Sequence, residues 1–146
     1  MDDQEAITAV GHAIQLSVAP VFLLSAIGAM LSVMTNRLSR IVDRGRQVES
    51  RLPMATPEES KAFREELRIL LERARLVNRA ITLCTVTALF VCAVVATLFF
   101  GAFFGWQLAM PLAGLFVGGM LAFFAGLLYF LREIFVATAS FRMGPH

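Results

Sequence analysis

The chain has 146 residues, of which 58% are hydrophobic and 16% are charged, and its formal net charge is +2. Soluble globular domains carry about 25% charged residues, so this composition excludes an ordinary soluble domain. The sequence also lacks a glycine-rich phosphate loop, a paired-histidine zinc motif and a nucleophile elbow, so we expect neither an enzyme nor a bound cofactor.

Residues 1–35 predict a short outer N-terminus followed by the first transmembrane helix. The 31 positions between Glu5 and Arg37 hold no Asp, Glu, Lys or Arg. A bilayer core needs about 20 apolar residues per helix, so this run is long enough to cross it once. Pro20 lies inside the run and removes a backbone hydrogen bond, which favours a kink.

Polar side chains follow the same run at mostly helical spacing, and we call them the polar stripe. Polar groups inside a span tend to face protein or water, so the stripe is a candidate pore lining. Its first member, His12, is equally consistent with an interfacial histidine solvated by headgroups and water. A metal site needs several ligands at defined spacing, so we expect no metal here. The polar stripe consists of His12, Gln15, Ser25, Ser32 and Asn36.

Residues 36–79 predict an antiparallel helical hairpin that projects from the membrane. Two heptad seams, in residues 38–52 and 63–81, predict two helical arms that pack against each other. Between the seams, Thr56 is a predicted N-cap, Pro57 is a suitable first helical residue, and Glu59 completes a capping box with Thr56.

Basic residues are concentrated in this hairpin, since 11 of the 13 Lys and Arg residues lie in residues 37–79. Short basic segments mark the cytoplasmic side, so we expect the N-terminus outside and both the hairpin and the C-terminus inside. Interleaved acidic residues argue against nucleic-acid binding. The arginines nearest the spans would either form basic rings in an oligomer or contact anionic lipid. These arginines are Arg37, Arg40, Arg44, Arg75 and Arg79.

Residues 80–132 predict the second and third transmembrane helices, and residues 133–146 a cytoplasmic tail. The 52 positions between Arg79 and Arg132 carry no charge, which is enough for two spans. Small residues recur every four positions in each span, a pattern that lets helix backbones approach closely. Whether these ridges face each other or another subunit stays open, although two ridges in so small a protein favour a homo-oligomer. The ridges are Cys84, Ala88, Cys92 and Ala96, and Gly114, Gly118, Ala122 and Gly126.

Residues 13–49, AIQLSVAPVFLLSAIGAMLSVMTNRLSRIVDRGRQVE, resemble the opening of a bacterial membrane family catalogued as domain of unknown function 2721. The resemblance implies three spans in a bacterial inner membrane, and it implies no activity. It is carried by the proline-containing first span, by the pair of later spans and by a run of seven residues. That run is Asn36, Arg37, Leu38, Arg40, Ile41, Asp43 and Arg44.

The sequence therefore predicts an all-α membrane protein with three transmembrane helices and a cytoplasmic antiparallel helical hairpin between the first and second. Our first functional hypothesis is a homo-oligomer with a channel-like permeation path lined by the first transmembrane helix. The alternative is a membrane-anchored adaptor or scaffold whose hairpin binds a cytoplasmic protein partner or anionic lipid.

Overall fold

The computed structural model describes residues 2–142, which form three long α-helices. Helix α1 spans Asp3–Arg51, helix α2 spans Pro57–Phe104 and helix α3 spans Ala109–Arg142. A short 3-10 turn, Leu52–Met54, lies between α1 and α2. All three helices are long and apolar enough to cross a membrane, which confirms the all-helical class and the count of three apolar helices.

The three helices are continuous through residues 35, 79 and 132, which are the predicted limits of the membrane segments. Helix α1 continues from the apolar run through Asn36 into the basic segment, and α2 continues through Arg79 in the same way. Helix α1 also continues through Pro20, which is buried. Each long helix therefore combines an apolar part with a charged part.

The chain packs as two compact units. The first unit combines the chain up to Met30 with Leu83–Phe124, and the second combines Leu31–Thr82 with the chain from Ala125 onward. The first unit buries mostly apolar side chains, with Ile27 and Val91 among the least exposed.

Buried hydroxyl groups in the first unit bond to the backbone of their own helix. Ser17 Oγ donates to the carbonyl oxygen of Ala13 at 2.7 Å, and Thr87 Oγ1 donates to that of Leu83 at 2.9 Å. This i to i−4 bond satisfies a hydroxyl without a partner on another helix. The first unit therefore buries these two hydroxyl groups without requiring a polar partner on another helix.

The predicted small-residue ridges of the first unit differ in how far they are buried. Cys84 is fully buried, Ala88, Gly118 and Ala122 are half-buried, and Cys92, Ala96 and Gly114 are exposed. The tightest approach involves Gly119, beside the predicted ridge, where an added Cβ would lie 3.1 Å from Phe90 Cβ. Gly119 thus lets the α3 backbone lie directly against this phenylalanine.

The turn between α2 and α3 is four residues long and depends on a glycine. Gly105 has a φ of +68°, a left-handed conformation that glycine adopts without a steric penalty. The Trp106 amide donates to the carbonyl oxygen of Gly101 at 3.1 Å, as in a Schellman C-cap. This turn divides the uncharged run of residues 80–131 between two helices.

In the second unit, the two arms of the hairpin pack along the predicted heptad seams. Ile41 and Val48 of α1 are buried, as are Leu70 and Val77 of α2. Because these residues recur at heptad spacing, each arm presents one apolar face to its neighbours.

The turn of the hairpin has the predicted capping box. The Glu59 amide donates to Thr56 Oγ1 at 3.3 Å, and the Thr56 amide donates to Glu59 Oε2 at 3.1 Å. Pro57 is the first residue of α2, where its missing N–H costs no helical hydrogen bond. The sequence therefore placed this helix start correctly.

Candidate arginine–glutamate site

The second unit buries one carboxylate, that of Glu133 on α3, and surrounds it with two arginines. Glu133 has no exposed surface, Arg37 Nε and Nη2 lie 3.0 and 2.9 Å from its Oε2, and Arg73 Nε lies 3.0 Å from its Oε1. Each carboxylate oxygen therefore accepts hydrogen bonds from a different arginine on a different helix.

Helical spacing explains why both arginines reach the same carboxylate. Arg37 lies one turn before the buried Ile41, and Arg73 lies one turn before the buried Val77. Side chains four residues apart share one face of a helix. Each arginine therefore lies on the same helical face as a buried seam residue, and from there it reaches Glu133 on α3.

Aromatic contacts add support to the same cluster. The guanidinium carbon of Arg37 lies 5.6 Å from the ring centroid of Phe130, within the range of a cation–π interaction. Phe130 lies three residues before Glu133, almost one helical turn away on α3. Helix α3 therefore holds Arg37 through both a carboxylate and a ring.

Beside this cluster lies a cavity of about 600 Å³, which we call the arginine groove. Four of its lining residues are arginines, from α1 and α2, and the rest of its wall is mainly apolar. Arg44 Nε lies 2.7 Å from Glu66 Oε1, whereas Arg40 makes no hydrogen bond or ion pair with any residue in 2–142. The four arginines are Arg37, Arg40, Arg44 and Arg73.

The structure brings together only part of the predicted arginine set. Arg37, Arg40 and Arg44 line the arginine groove. Arg75 is exposed and does not line it, and Arg79 lies over the ring of Tyr129, with its guanidinium carbon 5.8 Å from the centroid. The predicted arginine set is therefore divided: three members line the groove, Arg79 contacts an aromatic ring, and Arg75 does neither.

All five members of the polar stripe are exposed on the single chain. His12 borders a separate cavity of about 690 Å³ in the first unit, beside Trp106 and Gln107. Among residues 2–142, no group of three or more His, Cys, Asp or Glu side chains is arranged to hold a metal ion. The pore-lining role of the stripe stays a prediction.

Sequence reasoning missed Glu133 and Arg73 as site residues. The sequence predicts Glu133 at the start of a cytoplasmic tail, and it does not distinguish Arg73 from the other basic residues of the hairpin. The sequence does contain one indication that Glu133 is unusual. It is the first acidic residue after the longest uncharged run, and its neighbour in the chain is the basic Arg132. Such an acid needs a partner from elsewhere in the chain if it is buried.

Comparison with known proteins gives one result. No curated protein and no solved structure was found to match this chain. Residues 17–143 match the family described as "Protein of unknown function (DUF2721)", a range that includes the arginine groove and Glu133. The chain therefore belongs to this family of unknown function.

Proposed function

We propose that this chain is a membrane-anchored adaptor whose hairpin end binds anionic groups at the cytoplasmic surface of a bacterial inner membrane. The arginine groove is the observation that carries the proposal. Four arginines line it, and within residues 2–142 only Glu133 and Glu66 form ion pairs with them, which leaves a net charge of 4 − 2 = +2. A groove with excess positive charge attracts anions.

The proposed orientation follows from the distribution of basic residues. Residues 37–79 hold 11 of the 13 basic side chains, and such segments remain on the cytoplasmic side. The N-terminus would then lie outside and the C-terminus inside. In this topology the arginine groove opens toward the cytoplasmic face, where anionic lipid and protein partners are both present.

The test measures binding of a fluorescent hexaglutamate peptide to the full chain in phosphatidylcholine nanodiscs. We expect binding that weakens with added salt, because exposed charges are screened. Arg40→Glu combined with Arg44→Glu should lower the affinity at least about tenfold, since like charges placed opposite each other cost several kcal/mol.

The matched control is Arg46→Glu combined with Arg51→Glu. Both residues are exposed on the same helix and change the net charge equally, but neither lines the arginine groove. We expect the fold-change in affinity of this control to be at least three times smaller than that of the groove variant. Equal loss in both variants, or no binding to the wild-type chain, would contradict the proposed function.

A second candidate function is a homo-oligomer with a permeation path lined by α1. One observation favours it: all five members of the polar stripe are exposed, although all five lie within the uncharged run of α1. Polar side chains within a span favour protein or water over lipid. A ring of subunits would supply that environment.

The oligomer is tested by measuring subunit stoichiometry in native nanodiscs, followed by conductance. Arg37 and Arg44 already have acidic partners within the chain, so a basic ring would depend mainly on Arg40. Four or more subunits, with conductance altered by Arg40→Glu and Ser25→Leu, would support the path. A monomer or dimer would exclude it.

Deletion of residues 48–62 tests for a protein partner that binds at the hairpin turn, because none of these residues lines the arginine groove. The deletion removes the turn of the hairpin and leaves the polar stripe intact. It should leave conductance unchanged if the permeation path exists, whereas it should abolish capture of any partner that needs the hairpin turn.

A further inference from the structure

We infer that the arginine groove binds the phosphate headgroup of an anionic phospholipid, an inference that rests on the adaptor function proposed above. The proposal names both the ligand class and the residues that bind it. Arg40 and Arg44 would contact the phosphate directly. Arg37 and Arg73, fixed by Glu133, would form the rigid side of the groove.

The groove contains guanidinium donors of the kind that bind phosphate. Arg40 is exposed and has no partner within residues 2–142, so its whole guanidinium group is available. Arg44 contacts Glu66 through Nε, while its side chain remains 49% exposed. A guanidinium group has several N–H donors in a planar fork that binds phosphate oxygens in pairs.

The apolar part of the groove favours a lipid over a soluble acidic peptide. Ile41, Leu70 and Ile134 line it together with Phe141, which is 87% exposed. A phosphate alone would leave this apolar wall in water. A phospholipid carries acyl chains next to its phosphate, so it can cover both parts of the groove.

The position of the groove along the helices also favours a membrane lipid. Arg37 is the first charged residue after the 31 uncharged positions of α1, and Glu133 is the second residue after the 52-position uncharged run. Tyr129, under Arg79, is of a residue type enriched at membrane interfaces. The groove therefore begins where the apolar segments end, which is the level of the lipid headgroups.

The experiment is native mass spectrometry of the full chain with an equimolar mixture of phosphatidylglycerol and phosphatidylcholine. The two lipids share their acyl chains and differ in headgroup charge. We expect preferential binding of phosphatidylglycerol to the wild-type chain. Arg40→Gln should lower that preference about fivefold, whereas Arg46→Gln, the same change outside the groove, should leave it within about twofold.

Two further arms distinguish a lipid from its headgroup alone. Soluble glycerol phosphate supplies the same phosphate without acyl chains, and we expect it to bind at least tenfold more weakly than phosphatidylglycerol. Ile134→Ser removes apolar wall while retaining every arginine, so it should weaken phosphatidylglycerol binding and leave glycerol phosphate binding unchanged.

The possible failures point to different conclusions. Equal binding of the two lipids, or equal loss in Arg40→Gln and Arg46→Gln, would overturn the lipid site and leave the adaptor function standing if hexaglutamate still binds. Glycerol phosphate binding as tightly as the lipid would overturn the lipid as ligand. If the wild-type chain shows neither a preference for phosphatidylglycerol nor binding of hexaglutamate, both the inference and the proposed function are overturned.

Discussion

In the first unit, buried hydroxyl groups bond to their own helix, whereas in the second unit the buried Glu133 bonds to arginines on two other helices. All four ion pairs found within residues 2–142 belong to the second unit. The first unit is instead packed through close contacts such as that between Gly119 and Phe90. The packing of the first unit therefore depends on close apolar contacts, and that of the second unit depends on a buried ion pair.

This difference has a consequence for how each unit tolerates change. A hydroxyl that bonds within its own helix keeps its partner when neighbouring helices shift. A buried carboxylate between two arginines keeps its partners only in one arrangement, because an unpaired buried charge is strongly unfavourable. The second unit should therefore be more sensitive to changes of charge, and the first to changes of volume.

The largest expected effect on stability is that of Glu133→Gln, which would remove the buried negative charge of the second unit. The change keeps the side-chain shape but leaves Arg37 and Arg73 without their anion. We expect a loss of about 3 kcal/mol in the free energy of unfolding, at the lower end for broken buried pairs because both arginines are partly exposed. Urea titration in detergent micelles, followed by circular dichroism, measures it.

Two control variants sharpen this prediction. Arg132→Gln changes the exposed neighbour of Glu133 and should alter stability by no more than about 0.5 kcal/mol. The triple variant Arg37→Met, Arg73→Met, Glu133→Leu should recover much of the loss, since a buried ion group can be replaced by apolar residues. Equal free energies of unfolding for Glu133→Gln and the wild-type chain would show that the buried ion pairs do not stabilise the second unit.

A smaller effect is expected from Gly119→Val, which tests shape in the first unit. Even a Cβ at Gly119 would approach Phe90 Cβ to 3.1 Å, so the larger valine must displace the packed helix or the ring. Overpacking of this kind costs about 2 kcal/mol. The measurement is the same urea titration.

Gly114→Val is the matched control, since no atom lies within 4 Å of a Cβ built there. Its free energy of unfolding should change by no more than about 0.5 kcal/mol in a monomer. A larger loss confined to oligomeric preparations would support the prediction that this ridge faces another subunit. Equal losses in Gly119→Val and Gly114→Val monomers would refute the specific contact with Phe90.

The smallest effect should come from the exposed ion pair of Arg44 with Glu66. Their side chains are 49% and 35% exposed, and pairs of this kind contribute about 0.2–1 kcal/mol. A double-mutant cycle with Arg44→Ala and Glu66→Ala should give a coupling energy in that range. A coupling energy as large as the effect of Glu133→Gln would mean that the exposed pair of Arg44 and Glu66 stabilises the unit as much as the buried cluster does.

The features that local sequence could predict are those set by helical periodicity and by end signals. The three apolar helices, the seams through Ile41 and Val77 and the start of α2 at Pro57 were all predicted correctly. Each depends on residues within one or two helical turns of each other. Such short-range patterns are visible without knowing how the helices pack.

The arginine–glutamate cluster could not be predicted because it depends on contacts between distant parts of the chain. Glu133 is 96 positions from Arg37 and 60 from Arg73, and no periodicity links them. Eleven basic residues in the hairpin were equally plausible partners. Only the packing of α3 beside both arms in the second unit selects these two.

The turn at Gly105 bears on how the protein enters a bilayer. Residues 105–108 contain no charged side chain, and the C-cap satisfies a carbonyl group of α2 within the turn itself. In the proposed topology this turn is the segment that must be translocated to the outer surface. Because the turn has no charged group to desolvate, its transfer across the bilayer costs little free energy. Helices α2 and α3 would then insert together as a pair, without a hydrophilic domain to export.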